Sequence, residues 1–267
     1  MEKKSYIVCS TPRSGSTLLC KTLEELGGCG QPEEYFHRHT IKKLKLNNNP
    51  DQFLSYCHSI CQEGLRTHGV FGMKMHWWQL LDFLSIARQS PSFENKRDWD
   101  IINALFPNPK FIYLCRRDII AQAVSATIAM QTGQWEKIRE NQPKNPLQSV
   151  KKSQGDRVKS IKFQPWKIYE WEKNIKDNNL CWRFFFNDNC LNYYEIVYED
   201  MVKSLVNEIT NVVDYIGIDK SKMNYEIQAH TQRQFNIINQ KFINYYKLCP
   251  NPLLKLLYGL YVKRQNS

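Results

Sequence analysis

Residues 6–26 constrain the fold of this chain more than any other segment, because three local patterns follow one another there. Residues 6–9 form a short apolar run typical of a buried strand, and residues 11–16 form a loop rich in turn-forming residues. Apolar residues then recur at helical spacing over 17–26, and two glycines end the pattern. A strand, a loop and a helix in this order predict the start of an α/β fold.

Further strand and helix patterns continue this alternation along the chain. Strands are predicted at residues 69–74, 110–115 and 194–198, and helices at residues 119–130 and 201–216. Strands that alternate with helices predict a central, mainly parallel sheet flanked by helices on both faces. We therefore expect one α/β domain over residues 1–267.

The overall charge of the chain narrows the classes of partner. The formal net charge of +11 suits binding to nucleic acid, to an anionic membrane surface or to a polyanionic small molecule.

No apolar run reaches the ~20 residues that a membrane-spanning helix needs. The charged first residues run directly into the first strand pattern, which leaves no room for a signal peptide. We therefore expect a cytoplasmic protein without stable membrane insertion.

The cysteine pattern bears on metal binding and redox state. Nine cysteines are scattered without a Cys-x-x-Cys pair, which argues against a zinc ribbon. Cys57 and Cys61 lie on one helix face with His58 nearby, so a metal site is one interpretation and buried thiols are the other. A cytoplasmic location predicts that all nine cysteines are reduced.

Three later segments depart from the alternating pattern. Residues 134–162 are polar and basic and have no apolar period, which predicts a surface excursion or a lid, or alternatively a solvated loop without a role. Residues 165–186 predict a helix whose aromatic residues belong to the core or form a stacking platform. Residues 253–263 predict a packed terminal helix, or one that touches a membrane or a lipid-linked sugar.

The loop after the first strand has the chemistry of a phosphate site. Backbone N–H groups at a helix start are unpaired and carry the positive end of the helix dipole. Gly15 lets the backbone approach a ligand, and Arg13 adds a cation. Hydroxyl donors come from Ser14, Ser16 and Thr17. The alternative is a plain helix cap made by Ser14 or Ser16.

A second phosphate site is predicted after the strand at 110–115. Arg116-Arg117-Asp118 follows this strand, and Ser125 lies in the next helix. Strand ends deliver residues that face ligands in open α/β sheets, so Arg117 and Ser125 are expected to converge on a phosphate. The alternative is that the arginines pair with surface acids such as Asp118. Together the two motifs match a cofactor with phosphate at both ends of an adenosine.

Other classes of protein explain part of these observations. A nucleic-acid-binding protein accounts for the charge and for exposed aromatics, but not for two ordered phosphate motifs. A P-loop kinase is disfavoured, because Ser16 stands where a Walker A loop has its lysine.

The two motifs resemble those of sulfotransferases that use 3′-phosphoadenosine-5′-phosphosulfate (PAPS). The loop from Thr11 to Thr17 resembles their 5′-phosphosulfate loop, and Arg117 with Ser125 resembles their 3′-phosphate site. More narrowly, the chain is similar to the bacterial trehalose 2-sulfotransferase family. The segments that carry this similarity are residues 6–26, 30–36, 71–77, 110–135 and 197–201.

This resemblance implies a P-loop-like fold, a donor and a class of acceptor. It implies PAPS as the sulfuryl donor, held by Arg13, Ser14, Gly15, Ser16 and Thr17, and no metal ion. The acceptor is expected to be a small molecule with a hydroxyl or amino group, such as a carbohydrate or glycolipid. A hydroxylated, amine-bearing or guanidine-bearing secondary metabolite is the alternative. Nucleic acid is not an expected partner, and a homodimer is compatible with the resemblance.

The resemblance also implies two candidate general bases. The glutamate of the family's Pro-x-Glu segment corresponds to Glu34, beside Glu33, and Gln31 replaces an acidic residue often seen there. His76 has the Lys-x-His spacing of cytosolic animal-type sulfotransferases, in which the histidine is the base and the lysine, here Lys74, steadies the sulfonate.

We favour Glu34 as the base. The catalytic set expected is Glu34, His76, Lys74 and Arg13, and Glu33, Glu34, His76 and Trp77 are expected to contact the acceptor. The alternative for His76 is packing beside Trp77 and Trp78.

Overall fold

The computed structural model describes residues 4–135, 161–223 and 237–265. The basic segment predicted as an excursion lies almost wholly outside the described residues. The chain divides into two compact units, one formed by Met1–Arg117 with Ile175–Ala229 and the other by Asp118–Asn174 with His230–Ser267. No described helix is long and apolar enough to cross a membrane.

The first unit contains a four-stranded sheet. Its strands are β1 (Lys4–Ser10), β2 (Val70–His76), β3 (Lys110–Cys115) and β4 (Tyr193–Val197). They lie in the order β2-β1-β3-β4, and every neighbouring pair is parallel. The predicted parallel sheet is therefore confirmed.

Alternating side chains of the strands build a core on each face of this sheet. Ile7 and Cys9 belong to one apolar cluster, and Tyr6 and Val8 belong to the other. Both faces of β1 are therefore buried, which explains why its sequence is continuously apolar instead of alternating.

Helices cover both faces within the first unit. They are α1 (Ser16–Glu25), α2 (Arg38–Lys43), α3 (Pro50–His68), α4 (Trp77–Ala87), α5 (Asp98–Leu105), the later part of α7 (Pro165–Asp188), α8 (Tyr198–Met201) and α9 (Leu205–Ile216). Aromatic residues of α7 enter the core as predicted, namely Trp182, Phe185 and Phe186.

The helix predicted at residues 201–216 begins four residues later, at Leu205, so that prediction was wrong at its start. Met201 instead ends the short helix α8. Ser204 is the N-cap of α9, and its backbone angles of φ −140° and ψ 58° are not helical. Serine favours the cap position over the helix interior, because its hydroxyl competes for backbone hydrogen bonds.

The cysteines of α3 are buried thiols. Cys57 and Cys61 face the core, whereas His58 between them is exposed. The metal interpretation needs these three side chains to converge, and the helix holds them on different faces. All nine cysteines are free thiols, as predicted.

The second unit is helical in its described part. It contains α6 (Ile119–Thr132), the start of α7, α10 (Ile237–Lys247) and α11 (Asn251–Gln265). The Tyr246 hydroxyl donates to Glu172 Oε2 at 2.6 Å, and the Tyr169 ring lies 5.7 Å from that of Tyr258. The predicted terminal helix is therefore present and packs in part, while Leu256 and Leu260 remain exposed.

Candidate active site

The carboxyl ends of three strands bring the sequence motifs together at one edge of the sheet. Ser10 at the end of β1 is in register with His76 of β2 and with Leu114 of β3. The loop at residues 11–15 follows β1, and Arg116 and Arg117 follow β3. Ligand sites of open α/β folds form at this kind of edge.

The loop between β1 and α1 has the backbone of an anion site. Gly15 is the N-cap of α1 with a left-handed φ of 95°, and no side chain caps the helix. The alternative of a plain cap by Ser14 or Ser16 was therefore wrong. A Cβ on Gly15 would clash with the Tyr198 ring, with Cε2 at 2.7 Å. Only glycine satisfies both the backbone angle and this close approach.

Side chains of the same loop are arranged for an anion. Ser14 is fully buried, and its Oγ has no hydrogen-bond partner among the described residues. Leaving a buried hydroxyl unsatisfied costs about 1–3 kcal/mol. Arg13, a non-glycine residue, has a left-handed φ of 65°. Such strain clusters at binding sites, so the loop fits a bound phosphate or sulfate group.

The residues after β3 are braced by the segment that follows β4. The Arg116 guanidinium lies 4.7 Å from the centre of the Tyr198 ring, and its Nε is 3.3 Å from Glu199 Oε1. The backbone N–H of Arg117 donates to Glu199 Oε2 at 2.9 Å. The Arg117 guanidinium pairs with Asp200 at 2.6 Å. Arg117 therefore has a surface acid as partner, although not Asp118.

Sequence reasoning missed the roles of Tyr198 and Glu199. The ring packs against Gly15, and the carboxylate holds both arginines after β3. The sequence signal that could have identified Glu199 is an acidic residue directly after the strand predicted at residues 194–198. Ser125 lies on α6 in the second unit and is partly buried.

The segment around Glu34 lies along the outer edge of β2. Glu33 bridges Met73 in parallel, and the backbone N–H of Lys74 donates to the Glu33 carbonyl at 2.9 Å. This pairing fixes the register of Glu34 against β2, so that its side chain contacts those of Lys74 and His76.

Each carboxylate oxygen of Glu34 has its own donor. Oε1 accepts from Lys74 Nζ at 2.7 Å, and Oε2 accepts from Gln79 Nε2 at 2.7 Å. His76 Nε2 lies 3.9 Å from Oε1. Burial by itself raises the pKa of Glu34, but Lys74, His76 and the hydrogen bond from Gln79 outweigh it and lower the pKa to about 2. Glu34 is therefore an anion at neutral pH.

His76 is buried and neutral. Its Nδ1 lies 3.1 Å from Ser10 Oγ and 3.2 Å from the Ser10 carbonyl, which also accepts from Trp182 Nε1 at 3.2 Å. A proton on Nδ1 satisfies the carbonyl contact and leaves Nε2 as the basic nitrogen. Burial lowers the pKa of His76 to about 4. Both candidate bases are thus in their proton-accepting forms at neutral pH.

The depressed pKa of His76 predicts a loss of stability in acid. The unfolded state binds the proton first, near the unperturbed value of 6.5, so the contribution is complete above that pH. It is lost as pH falls toward 4, by up to ~3 kcal/mol. Urea denaturation of the wild type and His76→Asn at pH 7, 5.5 and 4.5 should show a steeper pH dependence in the wild type.

Between pH 7 and 5.5 the carboxylate of Glu34 contributes little to this comparison, because its unperturbed pKa is 4.5. Its stabilisation is present above its unperturbed value of 4.5 and is lost only below it, toward 2. Parallel pH dependences for the wild type and His76→Asn would contradict the buried, neutral ring.

Two other residues expected at the acceptor have partners elsewhere. The Glu33 carboxylate pairs with Lys21 of α1 at 2.8 Å and is half exposed. The Trp77 ring packs edge-on against Trp182, with centroids 5.1 Å apart.

A cleft of about 380 Å³ opens between the segment that contains Gln31 and helix α3. Its lining includes Gln31, Tyr35 and Phe71 but not Glu34, Lys74 or His76. The cleft is therefore separate from the cluster around Glu34.

Comparisons with known proteins agree with one another. A model of the Stf0 sulphotransferase family matches residues 5–248. Trehalose 2-sulfotransferase of Mycobacterium tuberculosis is 27% identical over 241 residues, covering 81% of this chain and 85% of that protein. The trehalose 2-sulfotransferase of Mycolicibacterium smegmatis is 22% identical over 243 residues, covering 80% and 85%.

Two solved structures resemble the chain at low identity. The sulfotransferase domain of the Synechococcus PCC 7002 olefin synthase has a TM-score of 0.42 at 16% identity, covering 98% of this chain and 95% of that one. Mouse sulfotransferase SULT7A1 complexed with PAP has a TM-score of 0.43 at 16% identity, covering 96% and 84%.

Proposed function

The chain belongs to the Stf0 sulphotransferase family and is a sulfotransferase, and we propose that it uses PAPS to sulfate a hydroxyl group of a carbohydrate. One observation carries the proposal: an anion-type loop and a partly buried Glu34–Lys74–His76 cluster lie at the same edge of one parallel sheet. The loop supports donor binding, and the cluster supports proton removal from an acceptor.

The residues at the loop fit the donor. PAPS would supply the sulfuryl group: the sulfur would gain a bond to the acceptor oxygen as its bond to the phosphate oxygen breaks, and the proton of the acceptor would pass to Glu34. The N-terminus of α1 and the orphan hydroxyl of Ser14 would bind the 5′-phosphosulfate, with Arg13, Ser16 and Thr17 around them. Arg117 would bind the 3′-phosphate, and Ser125 remains a prediction of the sequence for that role.

The cluster supports Glu34 as the group that takes the acceptor proton. Glu34 is ionised, and a carboxylate within hydrogen-bond reach of a hydroxyl can act as general base. Lys74 stays charged next to it, because the effects of Cys20 and Glu34 outweigh burial and raise the pKa of the ammonium. Lys74 would therefore also counter negative charge that develops on the leaving phosphate.

A carbohydrate acceptor is supported by the curated relatives, both of which are named trehalose 2-sulfotransferases. Gln31 departs from the acidic residue often found in that family, so we propose the class and not the disaccharide itself.

A thermal shift tests the donor. Adenosine 3′,5′-bisphosphate should raise the melting temperature far more than AMP at the same concentration, because binding to the native state stabilises it by mass action. Mass spectrometry of sugars incubated with PAPS should show a sulfated product. Equal shifts from both nucleotides, with no sulfated product, would refute the proposal.

Arg117→Ala should raise the KM for PAPS by ~10–100-fold, since a charge-assisted contact is worth ~1.5–3 kcal/mol. Adenosine 5′-phosphosulfate lacks the 3′-phosphate, so it should bind the wild type and the variant equally. The control is Asp200→Asn, which removes the present partner of Arg117 but keeps the guanidinium. If Asp200→Asn reproduces the defect, the ion pair and not the phosphate contact is responsible.

A further inference from the structure

We propose that Gln79 is the positioning residue that holds the Glu34 carboxylate in its reactive orientation; this inference rests on the proposed function. Gln79 was not singled out by any sequence motif. It lies in the first turn of α4, directly after β2, and is fully buried.

The two ends of the Gln79 amide have different partners. Its Oε1 accepts from the backbone N–H of His76 at 2.7 Å, and its Nε2 donates to Glu34 Oε2 at 2.7 Å. The chemistry allows only this orientation of the amide, because a backbone N–H needs an acceptor and a carboxylate needs a donor. Gln79 therefore joins the end of β2 to Glu34, which lies on a separate segment.

A purely structural role explains only half of this arrangement. Capping α4 requires the acceptor oxygen alone, which asparagine or glutamate could also supply. The donor nitrogen instead binds a charged group, and hydrogen bonds to charged groups are worth more than neutral ones. A buried amide with both ends satisfied in this way is a rigid support for a carboxylate.

The hydrogen bond from Gln79 helps to fix the orientation of the Glu34 carboxylate. Gln79 holds Oε2 and Lys74 holds Oε1, so the plane of the carboxylate is fixed by two donors from different elements. Without Gln79 the carboxylate can rotate about its last bond, and misplacement of a reacting group is costly in rate.

The charged and titratable neighbours of Glu34 set the expected pH response. Lys74 and His76 face it from β2, and Gln79 faces it from α4. Cys20 of α1 lies near Lys74, and burial raises the pKa of this thiol to about 12, so it is neutral. The hydrogen bond from Gln79 favours ionised Glu34, so removing it should raise the pKa of Glu34.

Two variants of Gln79 separate positioning from packing. Gln79→Met keeps the size of the side chain but removes both hydrogen bonds. It should lower kcat by ~10–100-fold, from the loss of one charge-assisted bond. The acidic limb of its kcat/KM profile should move to higher pH, while the melting shift produced by adenosine 3′,5′-bisphosphate is kept.

Gln79→Glu gives the opposite pH response. Its protonated carboxyl can donate to Glu34 and accept from His76, as the amide does, so activity should be highest in acid. Ionisation removes the donor and places a second negative charge beside Glu34, so activity should fall as pH rises. A merely structural glutamine has no reason to produce this inversion.

The double variant Glu34→Gln with Gln79→Met is the control for additivity. If Gln79 acts through Glu34, the second substitution should cost nothing further in kcat. An active wild type with Gln79→Met within twofold of its kcat, and with an unmoved acidic limb, would overturn the inference and leave the proposed function intact. A wild type that forms no sulfated product overturns the proposed function, and the inference with it.

Discussion

Glu34→Gln should lower kcat by ~10²–10⁴-fold, the usual effect of removing a general base. The amide is of similar size but cannot take a proton from the acceptor. Because Glu34 does not belong to the anion loop, adenosine 3′,5′-bisphosphate should still raise the melting temperature of the variant. The measurement is steady-state kinetics with PAPS and a sulfated sugar as product, together with the thermal shift.

Two further variants make this result specific. Glu24→Gln removes a carboxylate that is similarly exposed and pairs with Lys21 at 2.6 Å as Glu34 pairs with Lys74, and it should keep its turnover. His76→Asn should cost much less than Glu34→Gln, because on the proposed assignment Glu34 and not His76 takes the proton of the acceptor. Near-normal turnover of Glu34→Gln would move the base to His76.

Gly15→Ala should abolish the melting shift from adenosine 3′,5′-bisphosphate and destabilise the protein. An alanine at φ 95° is strained, and its Cβ would overlap the Tyr198 ring. Overpacking costs about 1–3 kcal/mol, and the left-handed backbone adds about 1–2 kcal/mol. Relief of the clash requires the loop to move, and that movement displaces the groups that we propose bind the phosphosulfate. Denaturant unfolding and thermal shift measure the two effects separately.

Gly27 provides the matched control, because it isolates backbone strain from the clash. It has a φ of 77°, and an added Cβ would meet nothing within 4 Å. Gly27→Ala should therefore lose only the stability associated with its backbone angle and keep the ligand shift. If the two variants behave alike, close approach of Tyr198 to the loop is not what requires glycine at position 15.

The sequence patterns predicted the elements better than their ends. Strands β1 to β4 were all predicted, because each apolar run is long enough to indicate a strand from its own residues. The helix after β4 was predicted to begin at Met201, because Met201 continues the apolar period of α9. The structure instead places Met201 at the end of α8 and Ser204 at the N-cap of α9.

What the sequence by itself determined is the local chemistry: a strand, an anion loop and a helix in direct succession, arginines after a third strand, and two candidate bases. These patterns are encoded within a few residues, so backbone propensity and side-chain type suffice to predict them. Only the tertiary structure decided how the bases differ. The hydrogen bond from Gln79 to Glu34 spans 45 residues, and that from Arg117 to Glu199 spans 82. Such contacts depend on strand order and on packing between distant segments, and no local pattern carries that information.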